Sequence, residues 1–497
     1  MENNFITSTS LLQSIVGESS AESEIILPDY CPPVMKIVRT DATAMIRSQS
    51  IRGDRVFIEG IVDFKICYLA EGDAQTVSVF HQAPFSYSAE IKSSEPPQIL
   101  SRAHTTYYNT RALSPQKMFA KATVEVYIYV FSANVTPTLP EENRNELEMR
   151  NVPAEYSDVL CAEEKVLKIS DELELEKGIE VSRLLRYAVS FEGTDVKKLS
   201  NKVIARSNMI LKIVYSCPDG SFGNHIARIP VSQIVPTCEL GDDVECIAFF
   251  NLSDIKMQLK ETADTYSIPY EAEINVSVLC YANSDTDIGV DAFSPVKTIE
   301  CIFKPVTLHK IFPVEEDFDF EQRIEAEGVS DILDYGCAAN VSGSYYDSQK
   351  KQIIIEGNYY VFTVYKDANG DITSLEKDFP FSFSQPSICS PSVINADITV
   401  NITEMSCSVS GDGLQIRVRG TYSGMIDSSC EYSAITDINE LPDKKAPLSQ
   451  MILYYACKGD RVWDIAKRYS ASPDAIIKNN GLTSDEIDED RMLYISR

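Results

Sequence analysis

Three stretches of this chain align on a tyrosine (Tyr68, Tyr215 and Tyr365), and that repetition limits the fold more than any other feature. The offsets, 147 and 150 residues, are far longer than solenoid periods, so each copy is large enough to hold its own core. Residues 56–68 read VFIEGIVDFKICY, 203–215 read VIARSNMILKIVY and 353–365 read IIIEGNYYVFTVY. Counting back by twos gives one apolar column: Val62/Met209/Tyr359, Phe64/Leu211/Val361, Ile66/Ile213/Thr363, then the tyrosines. A period of two predicts a strand with one face in a core, and the simplest reading of the column is packing. A turn follows each copy, at Glu71-Gly72-Asp73, Pro218-Asp219-Gly220 and Asn369-Gly370-Asp371. A second strand then leads to Pro84-Phe85-Ser86, Pro230-Val231-Ser232 and Pro380-Phe381-Ser382. Proline removes a ladder donor there and marks a strand end, bend or edge.

Upstream of each tyrosine sits an apolar pair, Ile37-Val38, Leu184-Leu185 or Ile332-Leu333, and each copy closes on another alternating strand, at 124–129, 274–278 and 414–418. Many short strands with turns between them predict a mainly β chain of three tandem antiparallel, sandwich-like units. Linkers are expected at 137–151, 294–298 and 438–448. The expected domains are therefore 1–150, 151–297, 298–445 and a small module at 446–497.

The 74 acidic residues outnumber 45 basic ones, for a net charge of −29. From Met451 onward there are 7 basic and 8 acidic residues, so about −28 lies on the first 450. Phosphate binding needs basic surface, so nucleic acid is excluded as a partner, and anionic membrane surfaces are disfavoured. A basic protein partner suits this charge. No apolar run reaches the roughly 18 residues of a membrane span, and no signal peptide is expected from the acidic opening Met1-Glu2-Asn3-Asn4. The 13 cysteines are scattered singly, the closest two being Cys238 and Cys246, so they are expected as reduced small hydrophobes in the cytosol.

The last 47 residues have a different pattern. Asp460 is placed to cap a helix on which Val462, Ile465, Ala466 and Tyr469 share a face. Ser472-Pro473 opens a second helix, which Asn480-Gly481 ends. With strands at 452–457 and 492–495 the order is βααβ. Trp463, the only tryptophan, is on the inward side of the first helix and is expected in the core rather than as a sugar-stacking platform.

The Ile-Glu-Gly strand ending in tyrosine, the acidic turn and the Pro-Phe-Ser strand resemble the SPOCS domain of clostridial spore-coat proteins. The opening at 24–30, EIILPDY, resembles it too. Copy two departs from the pattern: Ser207 stands where Gly60 and Gly357 stand, so a bulge or bend is expected to be missing there. Tyr455, Gly459-Asp460, Trp463, Ile465-Ala466, Tyr469, Ile476, Asn480, Leu482, Leu493 and Ile495 together resemble a LysM domain. That resemblance implies binding of N-acetylglucosamine chains in a groove of Gly459, Asp460, Arg461, Val462, Asn480, Gly481, Leu482 and Ile487. Arg461 and Asp490 depart from the family pattern and weigh against sugar binding.

No catalytic set is visible. The four histidines are far apart in sequence and outside metal motifs, and there is no G-x-S-x-G and no phosphate-binding loop. No enzyme, cofactor or metal is expected. The resemblances imply a scaffold of spore-coat assembly in the mother-cell cytosol, with LysM docking a coat morphogenetic protein and self-association open to the repeats. The alternative is a peptidoglycan-binding protein of cell wall or spore cortex.

Overall fold

The computed structural model describes residues 5–72, 76–92, 97–137, 139, 147–176, 178–261, 265–387, 390–442 and 451–496. The first unit contains β1 (Phe5–Ile26), β2 (Val34–Arg52), β3 (Arg55–Ala70), β4 (Thr76–Glu90), β5 (Gln98–Ser114) and β6 (Lys117–Pro137). Its strands form two antiparallel three-stranded sheets, β1-β6-β5 and β2-β3-β4. Val62, Phe64 and Ile66 of β3 meet Val124, Val126 and Ile128 of β6 in one core between them. Each such side chain contributes about 1.5–3 kcal/mol by leaving water.

The second unit repeats the order with β7 (Glu148–Glu174), β8 (Arg183–Leu199), β9 (Lys202–Ser216), β10 (Phe222–Pro236), β11 (Glu245–Met257), the two-residue β12 (Lys260–Glu261) and β13 (Tyr266–Phe293). The third unit comprises β14 (Thr298–Glu325), β15 (Asp331–Asp347), β16 (Gln352–Lys366), β17 (Ile372–Pro386), β18 (Val393–Ser410) and β19 (Gly413–Leu441). In both, the last long strand lies between the first and fifth, and the third between the second and fourth. The chain is mainly β, ending in a small module of β20 (Met451–Ala456), α1 (Val462–Tyr469), α2 (Pro473–Asn480) and β21 (Arg491–Ser496).

The tyrosine register is real at the backbone. Tyr68, Tyr215 and Tyr365 oppose Ile37, Leu184 and Ile332, and a bulge follows in each unit at Val38, Leu185 and Leu333. The side chains differ, however. Tyr68 and Tyr215 are buried, whereas Tyr365 is only half-buried. The segment joining first to second strand is shorter in the third unit (326–330) than in the others (27–33, 175–182), so it covers less of the ring.

The expectation about Ser207 is overturned. Gly60 and Gly357 face Phe85 and Phe381 across the ladder, and a Cβ at either glycine would meet the facing ring at 2.5 or 2.3 Å. Copy two pairs Ser207 with the smaller Val231, which leaves room for a Cβ. Its bulge is kept and enlarged, since the register skips both Gly193 and Thr194.

The units close on one another head to tail. β8 lies against β3 and β4, β15 against β10, and β2 against β17, so the second strand of each unit meets the fourth of the unit before it in the ring. Equivalent residues Arg39, Arg186 and Asp334, each just past its bulge, meet at the junction. Arg186 is 2.8 Å from Asp334 and 3.4 Å from Asp41, which also binds Arg39 at 2.7 Å. The Arg39 guanidinium lies 3.8 Å from the centre of the Phe362 ring. Burial raises the Asp41 carboxyl, but Arg39, Arg186 and Lys65 outweigh it and hold it below the usual range. The outer faces of the other sheets share an apolar cluster that includes Leu11, Tyr129, Phe131, Leu279, Ile311 and Met425. Beside that cluster Arg102 binds Asp397 at 3.1 Å and stacks over Phe249. These contacts correct the one-faced reading of the strands: residues 62–70 and 126–132 are buried without interruption.

Strand extents shift the expected boundaries. Residues 148–150 already pair with 291–293, so the edge of the second unit precedes 151. Thr298 pairs with Leu441, so 438–441 is strand rather than linker. Of the expected linkers, 138, 140–146 and 443–448 lie outside the described residues, as does Asp73 of the first turn.

Candidate functional site

The C-terminal module forms around a short antiparallel pair, β20 with β21, covered by two helices. Val462, Ile465 and Ala466 of α1 and Ile476 of α2 are buried with Ala456, Leu493 and Ile495. Asp460 does not cap α1. Its carboxylate accepts from the Cys457 amide at 2.9 Å, and the extended Arg461 holds the cap position without a side-chain bond. Asp485, far along the chain, supplies the cap instead: the Val462 amide donates to its carbonyl at 2.7 Å, and the Trp463 amide to its carboxylate at 2.9 Å. No local pattern announces such a cap. Pro473 opens α2 after Ser472, and Gly481 ends it in the left-handed region at φ 61°.

The eight groove residues divide into two groups. Around the first loop the Gly459 amide donates to the Ile487 carbonyl at 2.8 Å, and the Ile487 amide donates to the Asp460 carbonyl at 2.9 Å. Arg461 pairs with Glu486, while Val462 and Ile487 are buried beneath. The backbone groups expected to meet a sugar are thus engaged with one another. At the other end Asn480 ties α2 to β21. Its side-chain carbonyl accepts from the Tyr494 amide at 2.6 Å, and its amide group donates to Ile476 at 2.8 Å and Tyr494 at 2.7 Å. The Leu482 amide donates to Ile477 at 3.0 Å. Only Gly459, Arg461 and Gly481 of the eight are exposed. Asp490 also ties the loops, accepting from the Lys458 amide at 2.8 Å.

Asn480 is therefore a positioning residue. Asn480→Ala should destabilise the module by about 1–2 kcal/mol, because it leaves half-buried backbone groups of Tyr494 without their partner. Chemical denaturation of the full chain, followed through the single tryptophan, measures this.

Trp463 is buried, as expected, but against another unit. Its ring meets Phe293 edge-on with centroids 5.1 Å apart, and its indole N–H donates to Asp291 at 2.8 Å. Lys467 reaches the other oxygen of Asp291 at 2.5 Å. Burial raises the Asp291 carboxyl, but the bonds from Lys467 and Trp463 outweigh it and hold it below the ordinary carboxylate range. Sequence reasoning missed Asp291 and Phe293, which lie at the end of β13, beyond its last bulge.

Comparison with known families agrees with this geometry. Residues 33–105 match the model of the SipL, SPOCS domain, and residues 457–496 match that of the LysM domain. The chain carries both domains. No curated protein and no solved structure matches it. The SPOCS match spans β2 to part of β5, inside the first unit. Together the two domains make this a sporulation-related protein with a module of the peptidoglycan-binding type.

Beyond its groove, the LysM domain has a second distinctive surface. On β20 and β21 the side chains of Met451, Leu453, Tyr455 and Met492 are each more than half exposed. Tyr455 and Met492 are direct cross-strand neighbours, so these side chains form one apolar patch. Neither domain is of a catalytic type. Among the described residues no His, Cys, Asp and Glu group is placed to hold a metal, and no helix is long and apolar enough to cross a membrane. A cavity of about 780 Å³ with a mixed polar and apolar lining lies where the three units meet, bordered by residues such as Lys65, Arg102, His104, Tyr187 and Phe250. His104 is bonded there to Asp397 at 2.8 Å, His309 to Asp427 at 2.9 Å, and His81 to Ser23 at 2.7 Å.

Proposed function

We propose that this chain is a non-enzymatic scaffold of spore-coat assembly, acting in the mother-cell cytosol at the forespore surface. The three units, the second beginning by Glu148 rather than at 151, form its acidic body. The LysM domain at 446–497 docks a coat morphogenetic protein. The observation that carries the docking reading is the bonding of the groove: Gly459, Asp460 and Ile487 satisfy one another, and Trp463 is buried against Phe293. A glycan would find few free polar groups there, whereas the patch at Met451, Leu453, Tyr455 and Met492 suits an apolar protein surface. The charge of about −28 on the first 450 residues favours a partner that is basic around that contact.

The test uses the full chain carrying Leu453→Asp and Tyr455→Asp together. Binding to a purified coat morphogenetic protein should weaken about tenfold or more, the scale of a lost anchor. Thermal stability should change little, since both side chains are exposed. Titration with chitooligosaccharide should show negligible binding. A micromolar affinity for the sugar, about −8 kcal/mol, with coat-protein binding unchanged by the substitutions, would make glycan recognition the primary role.

A further inference from the structure

Four cysteines separated by up to 119 positions in the sequence converge at one end of the second unit. Cys280 of β13 directly opposes Cys161 of β7 on one side and Cys246 of β11 on the other. The Cys246 and Cys280 sulfurs are 2.8 Å apart. A bulge at Leu160 turns its carbonyl toward the exposed Cys238, whose thiol donates to it at 3.7 Å. Lys198 fixes the loop that carries Cys238, donating to the carbonyls of Gly241, Asp242 and Val244 at 2.8–3.0 Å. Cys161 and Cys280 are buried, Cys246 is half-buried and Cys238 opens the cluster to solvent. Packing alone asks for small apolar side chains here, not for four thiols in line.

We propose that Cys161, Cys238, Cys246 and Cys280 form an oxidisable thiol site that reacts with a small peroxide-class oxidant and closes a disulfide on Cys161. Directly opposed residues of antiparallel strands have Cα atoms about 4.5–5.5 Å apart, within the range a disulfide spans. Hydrogen bonds from Cys280 and from the Cys238 backbone hold the Cys161 thiol below its ordinary value against the push of burial, which favours attack by its sulfur. Elsewhere burial pushes the isolated Cys67 and Cys337 thiols up to about 12, which makes them internal references.

The chemistry balances without another reagent. The Cys161 sulfur attacks one peroxide oxygen, the O–O bond breaks, and the departing hydroxide takes a proton to leave as water. The resulting sulfenic acid is attacked by the thiol of Cys238 or Cys280; the S–O bond breaks and a second water leaves. Two sulfurs each give one electron, and the peroxide is reduced to two waters.

The experiment treats the full chain with hydrogen peroxide, blocks remaining thiols with N-ethylmaleimide and maps the peptides. Cys161 should lose its free thiol about tenfold or more faster than Cys67 or Cys337 and appear linked to Cys238 or Cys280. Cys161→Ser should slow peroxide consumption by a similar factor, while Cys430→Ser leaves it unchanged. Mapping of the unaltered chain stands alone if the serine variant misfolds. Oxidation of all cysteines at one rate, or a Cys161 that stays reduced while Cys67 reacts, overturns the proposal.

Discussion

Asp397→Ala is expected to destabilise the three-unit body by about 3–5 kcal/mol, the cost of leaving a buried charge without its partner. Asp397 is fully buried and binds Arg102 of the first unit, which also donates to Thr399 at 2.6 Å and stacks on Phe249 of the second. Removing the carboxylate strands a guanidinium that is itself 4% exposed, at a junction shared by all three units. Changing Arg102 and Asp397 together to leucine should recover much of the loss, because the stranded charge goes with its partner. The same pair sets an acid limit. Burial raises the Asp397 carboxyl, but Arg102 and His104 outweigh it, so its folded value lies below the ordinary one. Its contribution is therefore complete above the unfolded value of about 4 and is lost as pH falls through the folded value. Urea denaturation at several pH values should show the unaltered chain weakening below roughly pH 4, with a shallower slope in Asp397→Ala. Equal stability of the two proteins at pH 7 would mean that the junction carries no energetic weight.

The parts of the fold legible in the sequence are those where one side chain does one job. Column residues such as Phe64 and Leu211 face a core within their own unit, and period two announces them. What stayed hidden depends on partners far along the chain. Cys67 and Tyr129 point to the opposite face and pack against other units, so alternation fades into continuous apolar runs that carry no register of their own. Arg39, Arg186 and Asp334 hold equivalent positions yet differ in sign, so no shared motif marks the ring they close. The first strand of each unit was overlooked for another reason. β1 pairs on one side only and is rich in serine and glutamate, a composition suited to a half-wet edge and easily taken for loop.

The candidate site was legible as a list of residues but not as an allocation of their hydrogen bonds. Gly481 takes the left-handed turn its spacing requires, and Val462 and Ile476 are buried as their helical period requires. Spacing cannot say that Asn480 spends its whole side chain on α2 and β21, because that depends on where β21 returns. Nor can it place Asp291 against Trp463, 172 positions away. A lone tryptophan on an inward helical face signals burial, and nothing local tells whether its own module or a neighbour buries it.

That ambiguity makes Trp463→Ala the sharper of the two large tests. Loss of a buried tryptophan typically costs about 3–5 kcal/mol, and here the loss falls on two contacts at once. Within the LysM domain the ring packs beside Val462 and Ile465; across the interface it meets Phe293 and Asp291. Asp291→Ala separates the two, since it removes the bonds to Trp463 and Lys467 while leaving the core of the domain intact. The expected order is therefore a cooperative loss of LysM structure in Trp463→Ala and a milder undocking in Asp291→Ala. The single tryptophan reports the second directly, because its emission shifts to the red as the indole leaves Phe293 for water. If Asp291→Ala leaves the emission unchanged, the indole is held by the core of its own domain and the latch adds nothing. If the emission shifts and the far-ultraviolet circular dichroism does not, the LysM domain folds without its dock. Coat-protein binding by that variant then shows whether docking against the second unit orients the Met451–Tyr455 face for its partner.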